Sequence, residues 1–139
     1  MLHIAVAGVP LTTPSPGGTV EGLKYAHTLG ITAMELEWVQ RVPVNPPRMF
    51  EIRTTAEKLN MYLTAHAPYY INLNSPEKEK LAASKKRILD GLQMAELAGI
   101  HSLCVHAAFN LGQDEKTVYA NVRNAVDDKI GRASCRERV

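Results

Sequence analysis

The chain has 139 residues, 45% of them hydrophobic and 22% charged, with a formal net charge of +2. That length suggests one domain or part of one, and no apolar run is long enough to span a bilayer. The N-terminus MLHIAVAGVP lacks a charged region and a small-residue cleavage site, so the expected compartment is the cytosol, and Cys104 and Cys135 lack the CxxC spacing of a zinc knuckle or redox motif.

HIAVAG, His3 to Gly8, reads as a short apolar strand ending in glycine. After the loop VPLTTPSPGG, Val20, Leu23 and Ala26 mark a helix from Thr19 to Leu29, with Gly30 just past its C-terminus. AMELEWV, Ala33 to Val39, alternates Met34, Leu36 and Trp38 with Glu35 and Glu37, which is the period of a strand. Met49, Ile52, Ala56 and Leu59 have helical spacing across Arg48 to Leu59, and Asn60 ends that helix. MYLTAH, Met61 to His66, is the third strand. Ser75 then reads as a helix cap with Pro76 at the first position and Glu77 in the first turn. Leu81, Ile88, Leu92 and Ala95 form the expected buried stripe, and Gly99 stops the helix. HSLCVH, His101 to His106, is the fourth strand, and Val118, Val122 and Ala125 mark a fourth helix.

The last ten residues, IGRASCRERV, show no period of either kind and look like one translated frame of a common sequencing-library adapter. The expected organisation is therefore 1–129 as a native unit and 130–139 as a non-native tail. The tail holds three Arg and one Glu of the chain's 16 basic and 14 acidic residues, so the native part is formally neutral. Net charge thus gives no reason to expect a nucleic-acid partner.

Strand–helix alternation at roughly thirty residues per unit predicts an α/β fold with right-handed crossovers and a parallel sheet. A nucleotide-binding sheet should place GxGxxG after the first strand, and GVPLTTPSPGG does not match it. A (β/α)8 barrel needs about 250 residues and eight units. The fold class expected is the first half, four βα units, of a (β/α)8 TIM barrel, cut at the end of a sequencing read.

In such folds ligands gather at the carboxyl ends of the strands. His66 and His106 end the third and fourth strands, and Glu37 lies near the end of the second. Adjacent strands lie about 4.8 Å apart, so two imidazoles at matching ends can reach one ion. The alternative is that each is a hydrogen-bonded core residue. His3 and His101 begin strands, at the opposite end, and His27 lies within a helix, so all three read as structural or solvated. Tyr69 and Tyr70 follow His66 in the loop over the same rim. They either cover the barrel mouth or offer a stacking platform for a sugar or base. Asn72 either hydrogen-bonds a ligand at the rim or starts an Asx turn. The lysines interleaved with acidic residues after Pro76 read as a solvated helix face.

The segment HAPYYINLNSPEKEKLAASKKRILDGLQMAELAGIHSLCVHAAF, His66 to Phe109, resembles the endonuclease IV family, the second family of apurinic/apyrimidinic endonucleases, within the wider xylose-isomerase-like superfamily. His66, Tyr69, Ile71-Asn72-Leu73, Ser84 and His106 carry the match, whereas Ala107-Ala108 stand where the family has Pro-Gly, and the first strand ends in Ala7-Gly8 where many members carry a histidine. The resemblance implies a zinc-dependent endonuclease acting at abasic sites in DNA. It makes His66 and His106 ligands of one zinc in a cluster of up to three; by its place near a strand end, not by the resemblance, Glu37 is at best a third ligand. Tyr69 would enter the DNA groove, and Arg41 or Gln40 would contact the strand. The residues performing the catalytic step are not identified in this chain, and no protein or membrane partner is implied. A sugar isomerase or epimerase on the same barrel, or a non-catalytic half-barrel, are the other readings. If the adapter reading holds, sequencing the locus from an independent library will replace IGRASCRERV with another sequence; finding those ten residues in the genomic frame would refute it.

Overall fold

The structure, a computed structural model, describes residues 3–127, so the expected non-native tail at 130–139 lies outside the described residues. Four strands alternate with four helices: β1 (Ala5–Ala7), α1 (Gly18–Thr28), β2 (Ala33–Glu37), α2 (Pro46–Leu59), β3 (Tyr62–His66), α3 (Lys78–Leu97), β4 (Ser102–Cys104) and α4 (Glu115–Ala125). The strands form one parallel sheet in the order β1-β2-β3-β4. Each strand pairs with its sequence neighbour and the order never reverses. Right-handed crossovers in an unreversed sheet place the helices on one face, as in a barrel.

Side-chain alternation sorts the two faces. Met34 and Leu36 of β2 and Leu63 and Ala65 of β3 are buried in one cluster with Leu23 of α1, Met49 and Ile52 of α2 and Met94 of α3. Val6 and Leu103, from the two outer strands, pack against that cluster. The register pairs Ala7, Glu35 and Thr64 in one row and Glu37, His66 and Cys104 in another, and these residues face away from the helices. The face that would line a barrel interior is therefore small and polar, and Ala5, Ala7, Ser102 and Cys104 on it are exposed.

The helix stops behave as the sequence predicts. Asn60 adopts the left-handed conformation at the end of α2, and Gly30 and Gly99 follow the ends of α1 and α3 with positive φ. The starts differ in two places. Helix α2 begins at Pro46 rather than Arg48, because the Asn45 side chain accepts from the Arg48 amide and two prolines fit the first turn, where no backbone donor is needed. Helix α3 begins at Lys78 rather than beside Ser75. The Ser75 hydroxyl accepts from the Glu77 amide and makes a local turn ahead of the helix.

Leu92, expected in the buried stripe of α3, is 38% exposed. The positions that pack are Ser84, Ile88, Gly91, Met94 and Ala95. Gly91 is a close approach: a Cβ there would sit 3.0 Å from Leu103 Cδ2, so the helix lies directly on β4. The strands are also shorter than predicted: β1 covers only Ala5–Ala7, and β4 stops at Cys104, two residues before His106. Pairing to a single neighbour limits both outer strands.

The charged face of α3 is solvated, with Lys80 paired to Glu77 and Lys86 to Asp90 one helical turn apart. Asp114 caps α4, and the Thr117 hydroxyl and amide donating to its carboxylate hold its pKa below the usual carboxylate value. That capping contribution is present at neutral pH and is lost as acid protonates the group. Among the described residues no helix is long and apolar enough to cross a membrane.

Leu63, 1% exposed at the centre of the helix-covered face, should be the residue on which folding depends most directly. Leu63→Ala is expected to lower stability by about 2–5 kcal/mol in denaturant melts, whereas Leu92→Ala should change it by well under about 1 kcal/mol. Equal effects at the two positions would contradict this assignment of the core.

Candidate functional site

Strand β3 delivers His66 to its carboxyl end, and the next residues turn over the rim. Backbone bonds fix that turn from both sides. The Tyr69 amide donates to the Val39 carbonyl beyond β2, and the Ala67 amide donates to the Cys104 carbonyl at the end of β4. His106 lies past the end of β4 but keeps the alternation, two residues beyond Cys104, which pairs with His66. The outcome is a cluster of three rings. The His66 and His106 centroids are 5.0 Å apart, Tyr69 is 5.0 Å from His66 and 5.4 Å from His106.

The His66 ring has a defined orientation. Its Nδ1 lies 2.8 Å from the Ala67 carbonyl oxygen. A carbonyl only accepts, so Nδ1 carries the proton and the lone pair is on Nε2. A backbone carbonyl holding one imidazole nitrogen is the arrangement that presents the other to a metal. His106 is exposed. Tyr69 is 51% exposed and Tyr70 66%, so neither is packed away as a cover; Tyr69 leans on both imidazoles while keeping an open face.

Glu37 stands beside His66 in the strand register, but its carboxylate lies over the end of β1. A Cβ on Gly8 would be 3.2 Å from Glu37 Oε2, at the flexible end of that side chain, and it is the φ of +74° that favours glycine there. Gly8, Thr19, Glu37 and Trp38 line a cavity of about 240 Å³ at this corner of the rim. Among the described residues no three His, Cys, Asp or Glu side chains converge to hold a metal ion. The donor set therefore fits a metal as two adjacent imidazoles, with Glu37 as a carboxylate one strand away that is not converged on them.

Asn72 makes the Asx turn. Its Oδ1 accepts from the Asn74 amide and from the Phe109 amide, which joins the loop after β3 to the loop after β4. Its own amide donates to the Ser84 hydroxyl, which in turn donates to the Lys80 carbonyl. Arg41 is exposed in the loop after β2 and makes no ion pair among the described residues. His3 and His101 stack on the two sides of Tyr62 at the amino end of the sheet, away from the rim, with centroid separations of 5.3 and 3.8 Å.

Two residues were not singled out from sequence. Asn74 is 3% exposed and donates to the Phe109 carbonyl while accepting from the Asn121 side chain, so it fastens both rim loops to α4. The spacing Asn72-x-Asn74 between a strand and a helix was the available signal. Cys104 shares a row with Glu37 and His66, a placement that depends on register and has no motif in the sequence.

Residues 23–133 match the family model described as Xylose isomerase-like TIM barrel. An uncharacterized protein of Methanocaldococcus jannaschii, MJ0133, is 29% identical over 126 residues, which is 91% of this chain and 44% of that protein. A probable endonuclease 4 of Ureaplasma parvum is 27% identical over 116 residues, 81% of this chain and 38% of that one. Of solved structures, D-psicose 3-epimerase from Clostridium cellulolyticum superposes with TM-score 0.72 at 14% identity, over 96% of this chain and 49% of that one. Endonuclease IV from Thermus thermophilus superposes with TM-score 0.61 at 21% identity, over 88% of this chain and 45% of that one. The chain thus spans less than half the length of each of these proteins, and the two solved structures share its fold while being enzymes of different chemistry, an epimerase and an endonuclease. With four parallel βα units in barrel order and a family match over most of its length, this chain belongs to the xylose isomerase-like TIM-barrel family.

Proposed function

We propose that the barrel to which these four units belong is a zinc-dependent endonuclease acting at abasic sites in DNA. The observation that carries this reading is the His66–Tyr69–His106 ring cluster at the carboxyl rim. It is built from the His-x-x-Tyr segment by which the chain resembles endonuclease IV, and a probable endonuclease 4 is among its relatives. In this reading His66 Nε2 and the His106 imidazole would hold zinc, and groups beyond this chain would complete the site, since Glu37 is not converged on the two rings. A bound zinc supplies a Lewis acid and activates water for phosphodiester cleavage.

The chain's own residues then act as follows. Ala67 fixes the proton on His66 Nδ1, so the ring is held with its lone pair outward. Tyr69, half exposed and braced on both imidazoles, offers a flat face against which a base or sugar stacks. Arg41 supplies an exposed guanidinium for a phosphate, a contact that positions the strand without reading its sequence. Asn72 holds the two rim loops at a fixed separation. Glu35 and Glu37 face the barrel interior, an arrangement that an epimerase with carboxylate ligands would also use.

The test uses the protein carrying the complete barrel. It is expected to contain zinc and to nick duplex DNA at an abasic site. His66→Ala and His106→Ala should each reduce both zinc content and nicking. Tyr69→Ala should reduce nicking at least tenfold with zinc content intact. Zinc-loaded protein that leaves abasic DNA uncut but interconverts a keto-sugar would replace this reading with the epimerase one, and unchanged metal content in His66→Ala would remove the metal role of His66.

A further inference from the structure

A second cavity lies outside the rim. It has a volume of about 560 Å³ and sits between the loop after β3, the start of α3 and the inner side of α4. That volume is in the range of small-molecule sites. Leu73, Leu81 and Ala125 form its apolar wall. The polar wall is made mainly of carboxamides, with Gln113, Asn121 and Asn124 around Asn74, and among the described residues the Ser75 hydroxyl and the Lys85 ammonium complete it.

The hydrogen-bond capacity left in that wall is specific. Asn74 is fully committed, donating to the Phe109 carbonyl and accepting from Asn121 Nδ2. Gln113 Oε1 is buried with no hydrogen-bond partner, which is costly unless something donates to it. Its backbone is pinned, because the Gln113 amide donates to the Asn110 carbonyl across a turn in which Leu111 and Gly112 both have positive φ. The next residue, Asp114, is tied to Thr117 as the helix cap. The orphaned acceptor is therefore held in place by the fold. Asn121 keeps its Oδ1, and Asn124, one turn of helix away, brings a donor and an acceptor.

We infer that this cavity is an accessory binding site for a ring bearing hydroxyl groups, a pentose or a nucleoside. Hydroxyls donate to Gln113 Oε1 and Asn121 Oδ1 and also accept from Asn124, while the C–H face of the ring rests on Leu73, Leu81 and Ala125. Gln113 Oε1 and Asn121 Oδ1 are acceptors, so the occupant must bring donors, which ring hydroxyls supply. An occupant would bridge α4 to the loop that carries Tyr69, since Asn74 is bonded through Asn72 to the loop that follows His106.

The experiment is a titration of the chain with D-ribose and, separately, with adenosine, read by the side-chain amide resonances of Gln113, Asn121 and Asn124. Saturable shifts are expected at these amides, persisting in His66→Ala, so that the site is separate from the rim. Gln113→Leu and Asn124→Leu should each weaken binding at least tenfold; Asn124 is exposed, so its replacement tests the site without disturbing the core. Equal response to both probes assigns recognition to the sugar ring, and response to adenosine alone assigns it to the base with the sugar. No saturable shift with either probe, or shifts that vanish in His66→Ala, would overturn the inference.

Discussion

The structure rests on one constraint: parallel strands in unreversed order, with every helix on the same face. Alternation along each strand then has only one solution. Met34, Leu36, Leu63 and Ala65 must meet the helices, and Glu35, Glu37, Thr64 and His66 must turn the other way. A shift of one residue in β2 would put Glu35 and Glu37 into the core, and one in β3 would put Thr64 and His66 there. The polar residues that make the candidate site are thus placed by the same register that forms the core.

That register also explains why the rim is assembled from loops that are individually irregular. Ala67 bonds to Cys104, Tyr69 to Val39 and Leu73 to Ala107 through the backbone, so the loop after β3 is stitched to both neighbouring loops. Asn72 and Asn74 complete the stitching with side chains. Three rings therefore meet although His106 lies beyond the last paired residue of its strand. A rim tied in this way suits a site whose geometry must be set before a ligand arrives.

Sequence reading reached the element order, the parallel sheet and the barrel architecture because periodicity, turn glycines and the left-handed Asn60 all report local conformation. It placed His66, His106 and Tyr69 together because strand ends in a parallel sheet share a rim. It missed what depends on tertiary detail. Leu92 fits the helical stripe by spacing, but Gly91 lets α3 approach β4 so closely that the contact turns on the glycine side and leaves Leu92 outside. The start of α3 moved because Ser75 bonds a local turn instead of the helix. The direction of the Glu37 carboxylate was not legible either, since it lies against Gly8, just past the end of β1, a tertiary contact that no motif reports.

The central claim is that His66 and His106 present ligand nitrogens to one metal at the carboxyl rim, while the other histidines do not. Zinc titration of the protein, followed by the ring-nitrogen resonances of all five histidines, tests this most directly. The account predicts that free His66 is protonated on Nδ1, and that zinc shifts His66 Nε2 and the His106 ring together, leaving His3, His27 and His101 unchanged. Zinc-induced shifts at His3 and His101, or none at His66 and His106, would contradict it.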